Sequence, residues 1–230
     1  MKKFLAILCA LVLCLSCATA MAEGESHPKY VFMFIGDGMG NPQVTATQYY
    51  LGSIKNPDSK FPVPADLSFT KFPYLGLVTT YDSSSFCPDS ASTATSMASG
   101  KKTLSGVINY DETLTNPYKI ITEYAKEAGK KVGVITSVSV DHATPAAYYA
   151  KQPSRNDYYD ISLQALTGTT VDYLAGGGFK KMNGADGQQK SLLDVAKENG
   201  WVIPATNEEI RSLTATNERV LATNPVLQDS

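Results

Sequence analysis

PYKIITEYAKEAGKKVGVITSV, residues 117–138, joins a helical pattern directly to the pattern of a buried strand. In its first half Tyr118, Ile121, Tyr124, Ala125 and Ala128 recur at helical spacing, so a helix is expected over Pro117 to Ala128, closed by Gly129. The second half, Lys131 to Val138, carries Val-Gly-Val-Ile, the continuous apolar run of a buried strand. A helix that hands over directly to such a strand is the repeating unit of an α/β chain.

The alternation continues outward. Downstream, Asp157 to Leu166 predicts a helix, Val171 to Leu174 a short strand and Gly176-Gly177-Gly178 a turn. Ser191 to Glu198 then predicts a helix stopped by Gly200, and Trp201 to Ile203 a strand. Upstream, the apolar run Tyr30 to Ile35, ending at Gly36, predicts a buried parallel strand, and Pro42 to Leu51 begins a helix with proline in its first turn. Asn56 to Pro64, rich in Pro, Asp and Ser, reads as an excursion, Leu75 to Thr80 as a second strand and Tyr81 to Asp89 as a loop. From Ser90 a helix is expected to about Gly100, which fits a C-cap. The expected class is therefore α/β, a largely parallel central sheet with helices on both faces.

With 230 residues and 43% apolar content the chain can bury a sizeable core. Its net charge of −2 comes with no basic stripe, which argues against nucleic acid as a partner. Residues 1–22 read as a leader rather than fold: Lys2 and Lys3 precede an apolar run from Phe4 to Leu15, and Ala20-Met21-Ala22 offers a small-x-small cleavage site. That places the protein outside the cytoplasm, periplasmic or extracellular, with residues 23–230 as the domain. Leu13-Cys14-Leu15-Ser16-Cys17 is a degenerate lipobox, and the second-ranked alternative is a membrane tether through a lipidated Cys17. After cleavage at Ala22 only Cys87 remains, so no internal disulfide is expected, and Cys87 is read as a small buried residue rather than a nucleophile.

Four short motifs follow predicted strands or open predicted helices: Gly36-Asp37-Gly38-Met39-Gly40, Asp89-Ser90-Ala91-Ser92-Thr93-Ala94-Thr95, His142-Ala143-Thr144-Pro145-Ala146-Ala147 and Arg155-Asn156. Singly each has an ordinary reading: a turn, an N-cap, a core histidine, a surface arginine. Together they are chemically coherent, because in open α/β sheets ligands bind beyond the carboxyl ends of the strands. Ser90 at a helix start sits where N–H groups and the helix dipole favour an anion, and phosphate is the anion expected. A free serine hydroxyl is a poor nucleophile, and no Ser-His-Asp arrangement is visible. A metal is therefore expected to lower its pKa, and a pair about 4 Å apart can serve the attacking and leaving oxygens of an in-line displacement.

In these motifs the chain closely resembles the alkaline phosphatase family. The resemblance implies hydrolysis of phosphate monoesters through a phosphoserine, with Ser90 as nucleophile, Asp89 orienting the substrate-binding arginine and Arg155 as that phosphate clamp. It implies two Zn²⁺ and a third metal, with Asp37, Ser90, His142 and Thr144 as ligands; the third is Mg²⁺, or Zn²⁺ or Co²⁺ given an imidazole at His142. The implied partners are phosphate monoesters and inorganic phosphate, with a homodimer as a further option for a full-length protein. The family's remaining ligands, a Glu, two Asp and three His, belong to a later half, whereas His27 is the only other histidine here. The chain thus reads as the amino-terminal half of such an enzyme, from a truncated gene model or a fragment, and inactive alone. Two other readings remain open: a non-catalytic phosphate- or metal-binding remnant, and a phosphodiesterase or phosphonate hydrolase of the same superfamily, which commonly carries Thr in place of Ser90.

Overall fold

The structure, a computed structural model, describes residues 28–214 and 218–228. The leader expected over residues 1–22, with Cys9, Cys14 and Cys17, lies outside the described residues. Among the described residues no helix is long and apolar enough to cross a membrane. The chain divides into two units, Met1–Gly36 and Asp37–Ser230.

The second unit is built on four described parallel strands: β1 (Gly133–Ile135), β2 (Tyr173–Gly176), β3 (Trp201–Val202) and β4 (Arg219–Thr223), in the order β1-β2-β4-β3. Parallel neighbours need crossover connections, and helices supply them. α4 (Ala143–Ala146) and α5 (Tyr158–Thr167) lie between β1 and β2, α6 (Leu192–Glu198) between β2 and β3, and α7 (Asn207–Ser212) between β3 and β4. Upstream come α1 (Asn41–Lys55), a 3₁₀ turn at Ser68–Lys71, α2 (Ser90–Ser99) and α3 (Ile121–Glu127).

Register puts Val134, Leu174 and Leu221 side by side across β1, β2 and β4, and all three are buried. Ile161, Ala165 and Leu166 of α5 and Leu192, Val195 and Ala196 of α6 join the same core. Trp201 closes it, its indole N–H donating to the Leu166 carbonyl at 2.8 Å. Arg219 lies over the Trp201 ring and donates to the carbonyls of Leu166, Ala165 and Val171 at 3.1, 2.8 and 3.2 Å. A cation thus satisfies the last carbonyls of α5, where the helix dipole favours positive charge.

Several sequence expectations are corrected here. Tyr30–Ile35 is not a strand: it has no ladder partner among the described residues, and Phe32 and Phe34 are 79% and 89% exposed. Leu75–Thr80 likewise remains outside the sheet, with Leu75 and Leu77 exposed. An apolar run becomes a strand only where a neighbour takes up its backbone N–H and C=O groups. The helix expected from Pro117 starts instead at Ile121, because Pro117 bridges Tyr110 and the Tyr118 N–H donates to the Asn109 carbonyl at 2.7 Å. The strand expected at Val171–Leu174 is displaced to Tyr173–Gly176, and β4, which lies between β2 and β3, was not anticipated. Cys87 is exposed rather than buried, since its N–H and carbonyl both bond the Ser85 hydroxyl in a tight surface turn.

Candidate active site

α2 is the element that sets the site. Asp89 is its N-cap, accepting from the Ser92 N–H at 3.0 Å, and Gly100 ends it in the left-handed conformation at φ 72°. Ala91, Ser92, Ala94, Thr95 and Ala98 are buried, and these small side chains let α2 pack against α4. The two helix starts, with Ser90 on one and His142 and Thr144 on the other, are held in fixed relation by that contact. Asn109 reinforces it: its N–H donates to Thr95 Oγ1, and its side-chain amide to the carbonyls of Ala147 and Ala150.

Asp37 stands in the turn that precedes α1 and receives both helices' hydroxyls. Ser90 Oγ donates to Asp37 Oδ1 at 3.1 Å and Thr144 Oγ1 to Asp37 Oδ2 at 2.7 Å. Beside this cluster, Arg155 Nη1 bonds Asp89 Oδ2 at 2.8 Å, and Arg155 Nη2 lies 3.4 Å from His142 Nε2. All six residues singled out from sequence therefore fall into two adjoining groups, Asp37/Ser90/Thr144 and Asp89/Arg155/His142. The imidazole's Nε2 faces the guanidinium.

Burial raises the Asp89 carboxyl's pKa, but the Ser92 N–H, the Arg155 guanidinium, the Gly106 N–H and the Ser92 hydroxyl outweigh it and hold it below the usual range. Asp141, beside His142 and fully buried, goes the other way: burial raises its pKa, and the Lys180 N–H at 2.8 Å offsets this only in part. Sequence reasoning missed Asp141, Asn109 and Asp82. Asp82 had a visible signal, an Asp followed by three serines being an Asx-turn pattern, yet nothing local tells that it is buried.

The alkaline phosphatase family model matches residues 28–221. The chain belongs to the alkaline phosphatase family. Among curated alkaline phosphatases, the tissue-nonspecific isozyme of Felis catus is 38% identical over 142 residues, which is 57% of this chain and 26% of that protein. Among solved structures, the alkaline phosphatase of the Antarctic bacterium TAB5 matches with a TM-score of 0.67 and 31% identity, over 83% of this chain and 51% of its own. A TAB5 alkaline phosphatase mutant, with a histidine changed to glutamate and Mg bound in its M3 site, matches with a TM-score of 0.60 and 30% identity, over 75% and 49%. The chain thus spans about a quarter of that curated alkaline phosphatase and about half of the solved ones.

The donor set at Asp37 can be tested against a metal. One carboxylate and two hydroxyl oxygens converge within hydrogen-bond distance, which suits a hard, oxygen-seeking cation such as magnesium. Zinc sites generally need three or four Cys, His or carboxylate ligands, and among the described residues no group of three or more such side chains stands together.

Proposed function

We propose that the protein containing this chain hydrolyses phosphate monoesters through a phosphoserine at Ser90. The observation that carries this reading is the juxtaposition at α2: a hydroxyl at a helix start, aimed at Asp37, one residue from the carboxylate that anchors Arg155. The helix start and the guanidinium both favour an anion. Asp89 occupies Nη1 of Arg155 and Nη2 faces His142 Nε2, so the donors offered to phosphate oxygens are the N–H groups of the fork that these two contacts leave over. Asp37 Oδ1 holds the Ser90 proton, leaving a lone pair of Oγ for phosphorus. The Ser90 Oγ–P bond forms as the ester P–O bond breaks, and the departing alkoxide takes up the proton that Ser90 gives up. Water then cleaves the phosphoserine, which releases inorganic phosphate and restores the hydroxyl.

Asp37, Ser90 and Thr144, which converge, and His142 of the adjoining group, once its Nε2 turns from Arg155, are this chain's share of the residues that would hold the family's metals, zinc with a third site for Mg²⁺, or for Zn²⁺ or Co²⁺ given the imidazole. When bound, such ions lower the pKa of a coordinated hydroxyl and neutralise charge on the phosphoryl oxygens. A carboxylate in place of an imidazole suits magnesium, and the TAB5 mutant with glutamate for histidine holds Mg in its M3 site. With no group of three metal-ligating side chains among the described residues, we read residues 23–230 as negligibly active alone and as half of the working centre. A reading frame extended downstream that lacks further Asp and His ligands would favour a non-catalytic phosphate-binding remnant instead. We read residues 1–22 as an export signal, with a periplasmic or extracellular destination.

Acid quenching of the full-length protein during turnover of a labelled phosphate monoester tests the reading. Peptide mapping should find the label on Ser90 and lose it in Ser90→Ala, and label on any other residue would overturn the assignment.

A further inference from the structure

Asp82 is 5% exposed and lies in no motif assigned above. Its Oδ1 closes a turn, accepting from the N–H groups of Ser84 and Ser85 at 2.8 and 2.6 Å and from the Ser84 hydroxyl at 3.0 Å. Its Oδ2 accepts from two hydroxyls that come from opposite sides, Ser92 of α2 at 2.8 Å and Ser105 of the loop after α2. Each arm leads to the ion pair at the site. Ser92 donates its N–H to Asp89 Oδ1, and its hydroxyl lies 2.9 Å from the same oxygen. Ser105 precedes Gly106, whose N–H helps hold Asp89 ionised and whose carbonyl accepts from the Arg155 N–H at 2.7 Å. Gly106 has φ +81°, a conformation open to glycine and rarely adopted by L side chains, which lets the loop turn here between its anchors. The Ser105 N–H adds a second anchor on the Ser84 hydroxyl at 2.9 Å.

We propose that Asp82 is a positioning residue for Arg155, fixing through Ser92 the carboxylate that grips its guanidinium and through Ser105 and Gly106 the backbone from which it projects. A serine hydroxyl has one proton, and two carboxylates compete for that of Ser92. While Asp82 takes it, Asp89 keeps Arg155 as its main charged partner. The consequence for phosphate rests on the reading of Arg155 as clamp, whereas the positioning itself does not.

The test uses the full-length protein with Asp82→Asn, Ser92→Ala, Arg155→Ala and the Asp82→Asn/Arg155→Ala double variant. Asp82→Asn keeps an oxygen for the Ser84 and Ser85 N–H groups, so the turn survives while the Oδ2 acceptor is lost. Solvent exchange of the Arg155 guanidinium protons that bond Asp89, followed by NMR, should accelerate about tenfold in Asp82→Asn and Ser92→Ala, the loosening of one charge-assisted hydrogen bond. The amides of Leu174 and Leu221 in the sheet should stay as protected as before. Inorganic phosphate should bind about tenfold more weakly to Asp82→Asn, with no further loss when Arg155 is already alanine. Unchanged exchange of those guanidinium protons, or equal weakening in both backgrounds, would overturn the proposal. If the unsubstituted chain and Arg155→Ala bind phosphate equally, the clamp reading fails, and the exchange rates still decide the role of Asp82.

Discussion

Ser90 Oγ meets Asp37 Oδ1 at 3.1 Å although 53 residues separate them in the chain. The other carboxylate oxygen takes the hydroxyl of Thr144, 107 residues further on. One carboxylate thus joins the turn before α1 to the starts of α2 and α4. Asp37→Ala should accordingly free both hydroxyls at once, and in the full-length protein it should abolish phosphoserine formation rather than merely weaken substrate binding. Single-turnover kinetics separate these outcomes, because a lost binding contact would raise KM and leave the trapped phosphoenzyme intact.

Arg155→Ala should weaken inhibition of the full-length protein by inorganic phosphate by about one to two orders of magnitude, as expected for charged hydrogen bonds of roughly 1.5–3 kcal/mol. Folding should suffer less than binding, since Arg155 and Asp89 keep 24% and 27% side-chain exposure. An unchanged inhibition constant would remove Arg155 from the site.

His142→Asp should shift the metal preference of the full-length protein toward magnesium, because a carboxylate suits a hard cation better than an imidazole does. Metal content after dialysis against mixed zinc and magnesium checks this. Identical content before and after the change would show that His142 is not a ligand.

Asp82 also predicts an acid-sensitive contribution to stability. Burial raises its pKa, but the Ser105 hydroxyl, the Ser84 N–H and the hydroxyls of Ser92 and Ser84 together bring it from 3.8 down to about 2. A pKa depressed by folding gives stability that is complete above the unfolded value and is lost as pH falls through the folded one. Denaturant melts should therefore show Asp82→Asn less stable than the unsubstituted chain at pH 5. The gap should close between pH 4 and pH 2, and a gap that persists below that window would contradict the assignment.

Arg219→Ala should destabilise the chain by roughly 2–4 kcal/mol, the loss of donors to buried carbonyls and of a cation–π contact. Trp201, 4% exposed beneath that guanidinium, should report the change as a red-shifted emission. Arg219→Lys should recover less than half, since an ammonium cannot serve three carbonyls at once from one plane.

From the sequence alone come the α/β class, the helices that begin at Ser90 and end before Gly100, or begin after Asp157 and Ser191, and the choice of six residues that the structure brings near one another. Those features are written locally: caps, prolines, glycines and apolar spacing act within a few residues of one another. Tertiary structure alone decided that β1, β2, β4 and β3 adjoin in that order, that the apolar runs at Tyr30–Ile35 and Leu75–Thr80 stay outside the described sheet, and that Cys87 is exposed. It alone brought Asp37 to Ser90 and Thr144 and set Asp82 against the hydroxyls of Ser92 and Ser105. A strand needs a partner and the second oxygen of a buried carboxylate such as Asp82 needs donors beyond its own turn, and both are supplied by residues distant in sequence, which no local pattern specifies.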